Sequence, residues 1–193
     1  MKLIGLTGGI GSGKSTVGNL LAHKNIPVYF SDKRAHNIMN ESEKVVTTLK
    51  QWFGNDIYVD GKLDRERLGS IVFASKEKLE ELNALVHPEV FKDFDDWKSE
   101  QTSEFIIKEA AILFESGSYK DCDIILTVSA PEEVRIIRTM ARDKKSREEV
   151  MDRISKQWTD EQREQKADYV IKNDGSFMEL EREVEQFYYW LKH

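Results

Sequence analysis

The chain alternates short apolar runs with longer stretches of helical period. Residues 2–6 (KLIGL), 27–30 (PVYF), 105–114 (FIIKEAAILF), 123–129 (DIILTVS) and 167–173 (ADYVIKN) read as buried strands. Lys108 and Glu109 interrupt the third of these. Between the first two runs, Val17, Leu20 and Leu21 share one face of a helix over 13–24. Pro131 suits the N1 position of another helix, with Glu132 and Glu133 near its positive end. Residues 177–191 predict a last amphipathic helix. Strands alternating with helices imply an α/β fold with a parallel sheet covered on both faces.

Two stretches exceed a simple crossover. Residues 40–101 are mostly helical in pattern. Leu63, Leu68, Val72 and Phe73 form one periodic set, and Leu79, Leu82 and Leu85 another. His87-Pro88 ends that second set, with the proline in the first turn of a new helix. Phe91, Phe94 and Trp97 follow at helical spacing and read as core. This stretch predicts an inserted helical subdomain. Residues 131–166, charged in both signs, predict a second excursion.

Composition narrows the class. The chain has 193 residues, 39% apolar and 33% charged, with a formal net charge of −6. That charge argues against nonspecific binding to nucleic acid or to an anionic membrane. No run of about 18 apolar residues predicts a spanning helix. The apolar N-terminal run is too short for a signal peptide. The single cysteine, Cys122, reads as a small core hydrophobe. The expectation is a cytoplasmic enzyme or switch, a monomer or small homo-oligomer.

Residues 8–15, GGIGSGKS, fit G-x-x-x-x-G-K-[ST] directly after a strand and at the start of a helix. Gly9, Gly11, Ser12 and Gly13 let the backbone turn its N–H groups inward as an anion nest. The helix start adds its dipole and unpaired N–H groups. Lys14 reaches the β- and γ-phosphates of a nucleoside triphosphate, Ser15 offers a hydroxyl to Mg²⁺, and Thr16 lies toward the α-phosphate. A dinucleotide-binding turn is the nearest rival, but its G-x-G-x-x-G spacing is missing.

The acceptor side is less explicit. Asp32 follows the second strand, where ligands of open α/β sheets bind. If that strand neighbours the loop strand, Asp32 faces the γ-phosphate and can orient or take an acceptor proton. The competing reading is a cap on a helix over 33–39. GTPase signatures are absent, and for a motor ATPase the chain is short and lacks an Asp-Glu pair on a hydrophobic strand. Arg135, Arg138 and Arg142 share one helix face. They are either mobile arginines that clamp phosphate or a solvated face.

Together these segments resemble dephospho-coenzyme A kinases. The resemblance is carried by LTGGIGSGKSTV (6–17), Asp32, FG (53–54) and G-x-L-D-R-x-x-L (61–68). It continues through LNALVHPEV (82–90), ILFESG (112–117), Arg138 with Arg142-Asp143, R-I-x-x-Q (153–157) and ADYVIKN (167–173). It implies a P-loop kinase-like three-layer core (1–39, 102–130, 167–193), a helical acceptor-binding subdomain (40–101) and a lid (131–166). It implies transfer of the γ-phosphate of ATP, with Mg²⁺, to the ribose 3′-hydroxyl of dephospho-CoA. It also implies Asp32 and His87 at the acceptor and Arg138 and Arg142 as lid arginines. Asn173 is a candidate for the adenine pocket. The chain departs from the family pattern at Phe30, His36, Glu109 and Ala111. A kinase for another small metabolite or nucleotide is the alternative, and a nucleotide-dependent switch the third reading.

Overall fold

The computed structural model describes residues 1–72 and 74–193; Phe73, placed above in an apolar periodic set, lies outside the described residues. The chain divides into two compact units, one of Met1–Phe30 with Gln101–His193 and one of Ser31–Glu100.

The first unit is built on β1 (Lys2–Thr7), α1 (Lys14–His23) and β2 (Val28–Phe30). After the second unit it continues with β5 (Phe105–Glu109), β6 (Ile124–Ser129), α6 (Glu132–Asp143), α7 (Arg147–Ser155), α8 (Asp160–Glu164), β7 (Tyr169–Lys172) and α9 (Phe177–Lys192). Its five strands are all parallel, in the order β2-β5-β1-β6-β7. The loop strand β1 is therefore central. It pairs with β5 and β6, whereas β2 pairs with β5 and not with β1. The adjacency on which the reading of Asp32 was conditioned is absent.

Period-2 alternation sorts the strand residues between the two sheet faces. Ile4, Leu6, Phe105, Ile107, Leu126, Val128 and Ile171 bury against Val17 and Leu21 of α1 and Leu180, Val184, Phe187 and Leu191 of α9. Ile125 faces the other way, into a smaller cluster with Ala110, Leu113 and Phe114, flanked by Cys122 and Trp158. The expected strand over 105–114 therefore stops at Glu109. Ala110 still donates its N–H to the Leu6 carbonyl of β1 at 3.0 Å, and beyond it the chain turns away and buries Leu113 and Phe114 against the sheet without further strand pairing. Cys122 is half-buried at the edge of that cluster. Pro131 stands one place before the predicted N1, as the N-cap of α6, because its ψ of 139° is extended.

The second unit contains α2 (Ser31–Glu41), α3 (Glu43–Phe53), a hairpin of β3 (Tyr58–Val59) and β4 (Lys62–Leu63), α4 (Arg65–Val72) and α5 (Lys76–Ser99). Asp60 and Gly61 turn the hairpin with φ of 50° and 77°, the paired positive φ that a two-residue turn of matching twist requires. The helix break expected at His87-Pro88 does not occur, and α5 runs through Pro88. Proline costs a helix one internal hydrogen bond. Here Leu82, Val86, Val90 and Phe94, spaced at four residues, bury one continuous stripe across the site and hold the helix together. Phe94 is core and stacks on Trp97, while Phe91 is 48% exposed. Arg34 of α2 grips Asp93 of α5 through two hydrogen bonds of 2.9 and 2.6 Å.

Candidate active site

The phosphate loop follows from where its backbone donors go. Gly13 caps α1 with φ 95° and provides no side-chain cap. Thr16 and Val17 donate their N–H groups to the Gly13 carbonyl, and Ser12 donates to the Gly9 carbonyl. Among the described residues, the amides of Gly11, Gly13, Lys14 and Ser15 meet no protein acceptor. Successive open N–H groups at a helix start make a concave site for an anion. Thr16 spends its amide inside the helix, so its hydroxyl is the group it has left to offer.

Lys14 and Ser15 meet at one carboxylate. The Glu109 Oε1 atom accepts a 3.1 Å hydrogen bond from the Ser15 hydroxyl and lies 3.8 Å from the Lys14 Nζ. Glu109 is the last residue of β5 and only 2% exposed. It stands at the end of a strand that pairs with the loop strand, so a carboxylate faces the loop although no Asp-Glu pair is present. The signal was present as an acid closing the apolar run FII-K, but only the strand order brings it to Ser15. A hydroxyl and a carboxylate oxygen this close are the hard oxygen donors that suit Mg²⁺. Among the described residues no group of three or more His, Cys, Asp or Glu side chains can hold a metal.

Beside the loop is a cavity of about 210 Å³, lined by Gly13, Thr16, Arg138, Asn173, Gly175, Phe177 and Leu180. Arg138 Nη1 donates to the Asn173 carbonyl at 3.1 Å, and Asn173 Nδ2 donates to the Ser12 carbonyl at 2.7 Å. Asn173 thus ties the loop to the cavity. The three arginines of α6 lie along one face, but with very different surroundings. Arg135 is buried, Arg138 borders the cavity, and Arg142 is exposed. Both nitrogens Nε and Nη2 of Arg142 bind Asp143, at 2.7 and 3.0 Å. The Arg142 hydrogen bond first, then its charge, holds the Asp143 carboxyl below the usual carboxylate range.

In the second unit, Asp32 is exposed and stands in the first turn of α2, past the cap position proposed as its alternative role. One turn on, His36 Nε2 accepts from Arg65 Nη2 at 2.9 Å. Burial lowers the His36 pKa, the Arg65 charge lowers it further, and Asp32 pulls it back up. His87 lies on the surface of α5 with its ring 6.3 Å from that of Phe91, and partial desolvation lowers its pKa. Sequence reasoning assigned no role to Glu109, Arg65 or Gln157, each of which touches a residue singled out above or the loop itself.

Residues 2–179 match the family model described as dephospho-CoA kinase. The dephospho-CoA kinase of Fusobacterium nucleatum is 44% identical over 186 residues, covering 96% of each chain. Among solved structures, TT1252 from Thermus thermophilus superposes with a TM-score of 0.84 at 37% identity, over 98% of this chain and 97% of that one. The dephospho-CoA kinase from Campylobacter jejuni superposes at 0.69 with 27% identity, over 98% and 96%.

Proposed function

The chain belongs to the dephospho-CoA kinase family, and from that premise we propose that it transfers the γ-phosphoryl group of ATP to the ribose 3′-hydroxyl of dephospho-CoA. The observation that carries this reading is the match of nearly the whole chain to one family, with Lys14, Ser15 and Asp32 all present.

The loop of residues 8–16 holds the donor. Its open amides at Gly11, Gly13, Lys14 and Ser15 neutralise phosphate charge with no reorganisation at the moment of transfer. The Lys14 ammonium, kept near by Glu109, moves onto the β- and γ-phosphates as charge develops there. Mg²⁺ bound with ATP would offset negative charge on the phosphates. Ser15 would hold it, with Glu109 as the supporting carboxylate. The cavity between Arg138, Asn173 and Phe177 takes the adenine side of the nucleotide.

The unit of Ser31–Glu100 binds the acceptor, with Asp32 orienting its hydroxyl or accepting its proton and His87 contributing to recognition. Residues 131–166 act as the lid, in which Arg138 and Arg142 steady the phosphates. Phosphoryl transfer asks little covalent chemistry of a protein, so positioning supplies most of the rate.

The test is direct. The protein is incubated with ATP, Mg²⁺ and dephospho-CoA, and the product is read by mass. CoA and ADP in equal amounts are expected. ADP formation that depends on a different hydroxyl compound, with no CoA, would assign the fold to another acceptor. ADP formation with no acceptor dependence would exclude a kinase.

A further inference from the structure

One amide of the phosphate loop is satisfied from far along the chain: the Ile10 N–H donates to Gln157 Oε1 at 2.9 Å, across 147 positions. Beside it, two guanidinium groups close on Gly9. A Cβ built there would lie 2.4 Å from Arg135 Nη1 and 3.4 Å from Arg163 Nη1, so the backbone has no room to shift toward them. Arg163 is fully buried. Its Nη1 lies 3.1 Å from Asp160 Oδ1 and its Nη2 lies 3.5 Å from Glu115 Oε1. Arg135 donates its Nε to the Ala130 carbonyl at 3.1 Å and faces Asp160 Oδ2 at 3.5 Å.

Two like charges in an interior are a costly way to fill space, even with carboxylates between them, because apolar residues of the same volume are often as stable or more so. Burial is the largest influence on the Arg163 pKa and lowers it, and the facing Arg135 charge acts in the same direction against Glu115 and Asp160. The chain places this arrangement against the one segment that must be shaped before nucleotide arrives. The segment that supplies it is itself firmly seated. The Trp158 N–H donates to Glu115 Oε1 at 2.9 Å, and the Trp158 ring stacks on Phe114 at 5.0 Å and 3°. Thr159 and Gln162 then form the capping box that starts α8.

We propose that residues 157–163 form a clamp that fixes the conformation of loop residues 9–11, with Gln157 and Arg163 as positioning residues for the nucleotide phosphates. The Gln157 oxygen pins the amide at Ile10, and the Arg135–Arg163 pair walls in Gly9. The open amides that follow are thereby aimed before the nucleotide binds, which avoids the entropy cost of ordering the loop on binding. The clamp rests on the nucleotide reading of the loop and acts on the donor alone.

The experiment compares wild type, Gln157→Met and Arg163→Lys by calorimetric titration with Mg·ADP, alongside steady-state kinetics and thermal unfolding. Removing the Gln157 acceptor leaves the Ile10 amide unsatisfied, and Gln157→Met is expected to weaken Mg·ADP binding about 5- to 50-fold. The KM for ATP should rise in parallel and the unfolding midpoint fall modestly, because the Ile10 amide loses its partner in the free protein too, while the acceptor KM stays near wild type. Arg163→Lys keeps the charge but loses the planar fork, and should weaken Mg·ADP binding in the same direction. Equal Mg·ADP affinity in wild type and Gln157→Met overturns the clamp and leaves the loop reading standing. Failure of wild type to bind Mg·ADP sinks both. Amide hydrogen exchange of Ile10 in the unaltered protein is an independent check: protection supports the clamp, and exchange as fast as an open loop amide overturns it.

Discussion

Asn173 Nδ2 donates to the Ser12 carbonyl at 2.7 Å, and a Cβ on the neighbouring Gly13 would lie only 2.2 Å from the same nitrogen. A side chain at the end of β7 therefore bolts the phosphate loop at its tightest turn, where φ is 95°. Asn173→Ala leaves the Ser12 carbonyl without its donor, and a stability loss of about 1–3 kcal/mol is expected in urea unfolding. Asn173→Asp sets a second acceptor against that carbonyl and should cost more. The KM for ATP should rise in both. An Asp variant as stable as wild type would mean the contact contributes little.

Glu109 is the second bolt, and a charged one. Its carboxylate meets both the Ser15 hydroxyl and the Lys14 ammonium. Glu109→Gln keeps an acceptor for Ser15 but removes the charge that, in the proposed reaction, supports the metal beside Ser15. The expected result is a rise in the Mg²⁺ concentration needed for half-maximal turnover, with a fall in kcat of about 10- to 100-fold. A titration of activity against Mg²⁺ measures both. An unchanged Mg²⁺ dependence would remove Glu109 from the metal side.

Glu109 also marks where legibility ends. The phosphate loop could be read from eight consecutive residues because its chemistry is local. The strands could be read because both sheet faces are buried, which leaves unbroken apolar runs. Strand order is not local, and β5 intervenes between β1 and β2, so a carboxylate that looked like an interruption stands beside Ser15. Residues 110–114 are as apolar as a strand yet pack as turns, since a hydrophobic cluster rewards burial whatever the backbone conformation. Pro88 misled in the opposite sense, because a buried stripe on α5 outweighs one missing hydrogen bond. The Asp60-Gly61 hairpin was written in the chain, but its two-residue strands are too short to show alternation.

His36 gives the second unit an acid sensitivity whose sign can be worked out. Burial and then Arg65 lower its folded pKa below the unfolded value, and Asp32 opposes them only in part. The folded state thus favours the neutral ring, which accepts from Arg65. That contribution is fully present above the unfolded value near about 6.5 and is lost as pH falls through the lower folded value. His87 shifts the same way, so His36→Gln should flatten only part of the decline. Urea midpoints between pH 7.5 and 5 give the slopes. Identical slopes in wild type and His36→Gln would exclude the His36–Arg65 contact as a source.

Lys14 and Asp32 divide donor from acceptor in the proposed reaction, and their variants should fail differently. Lys14→Ala removes the mobile charge that follows the γ-phosphoryl group. Turnover should fall by about three orders of magnitude or more, with weaker nucleotide binding. Asp32→Asn leaves the loop untouched. It retains a hydrogen-bonding oxygen but no longer a base, so Mg·ADP affinity should match wild type while kcat falls by about 10²- to 10⁴-fold. Near-normal turnover in Asp32→Asn would leave positioning by the loop as the source of the rate and return Asp32 to a surface carboxylate in the first turn of α2.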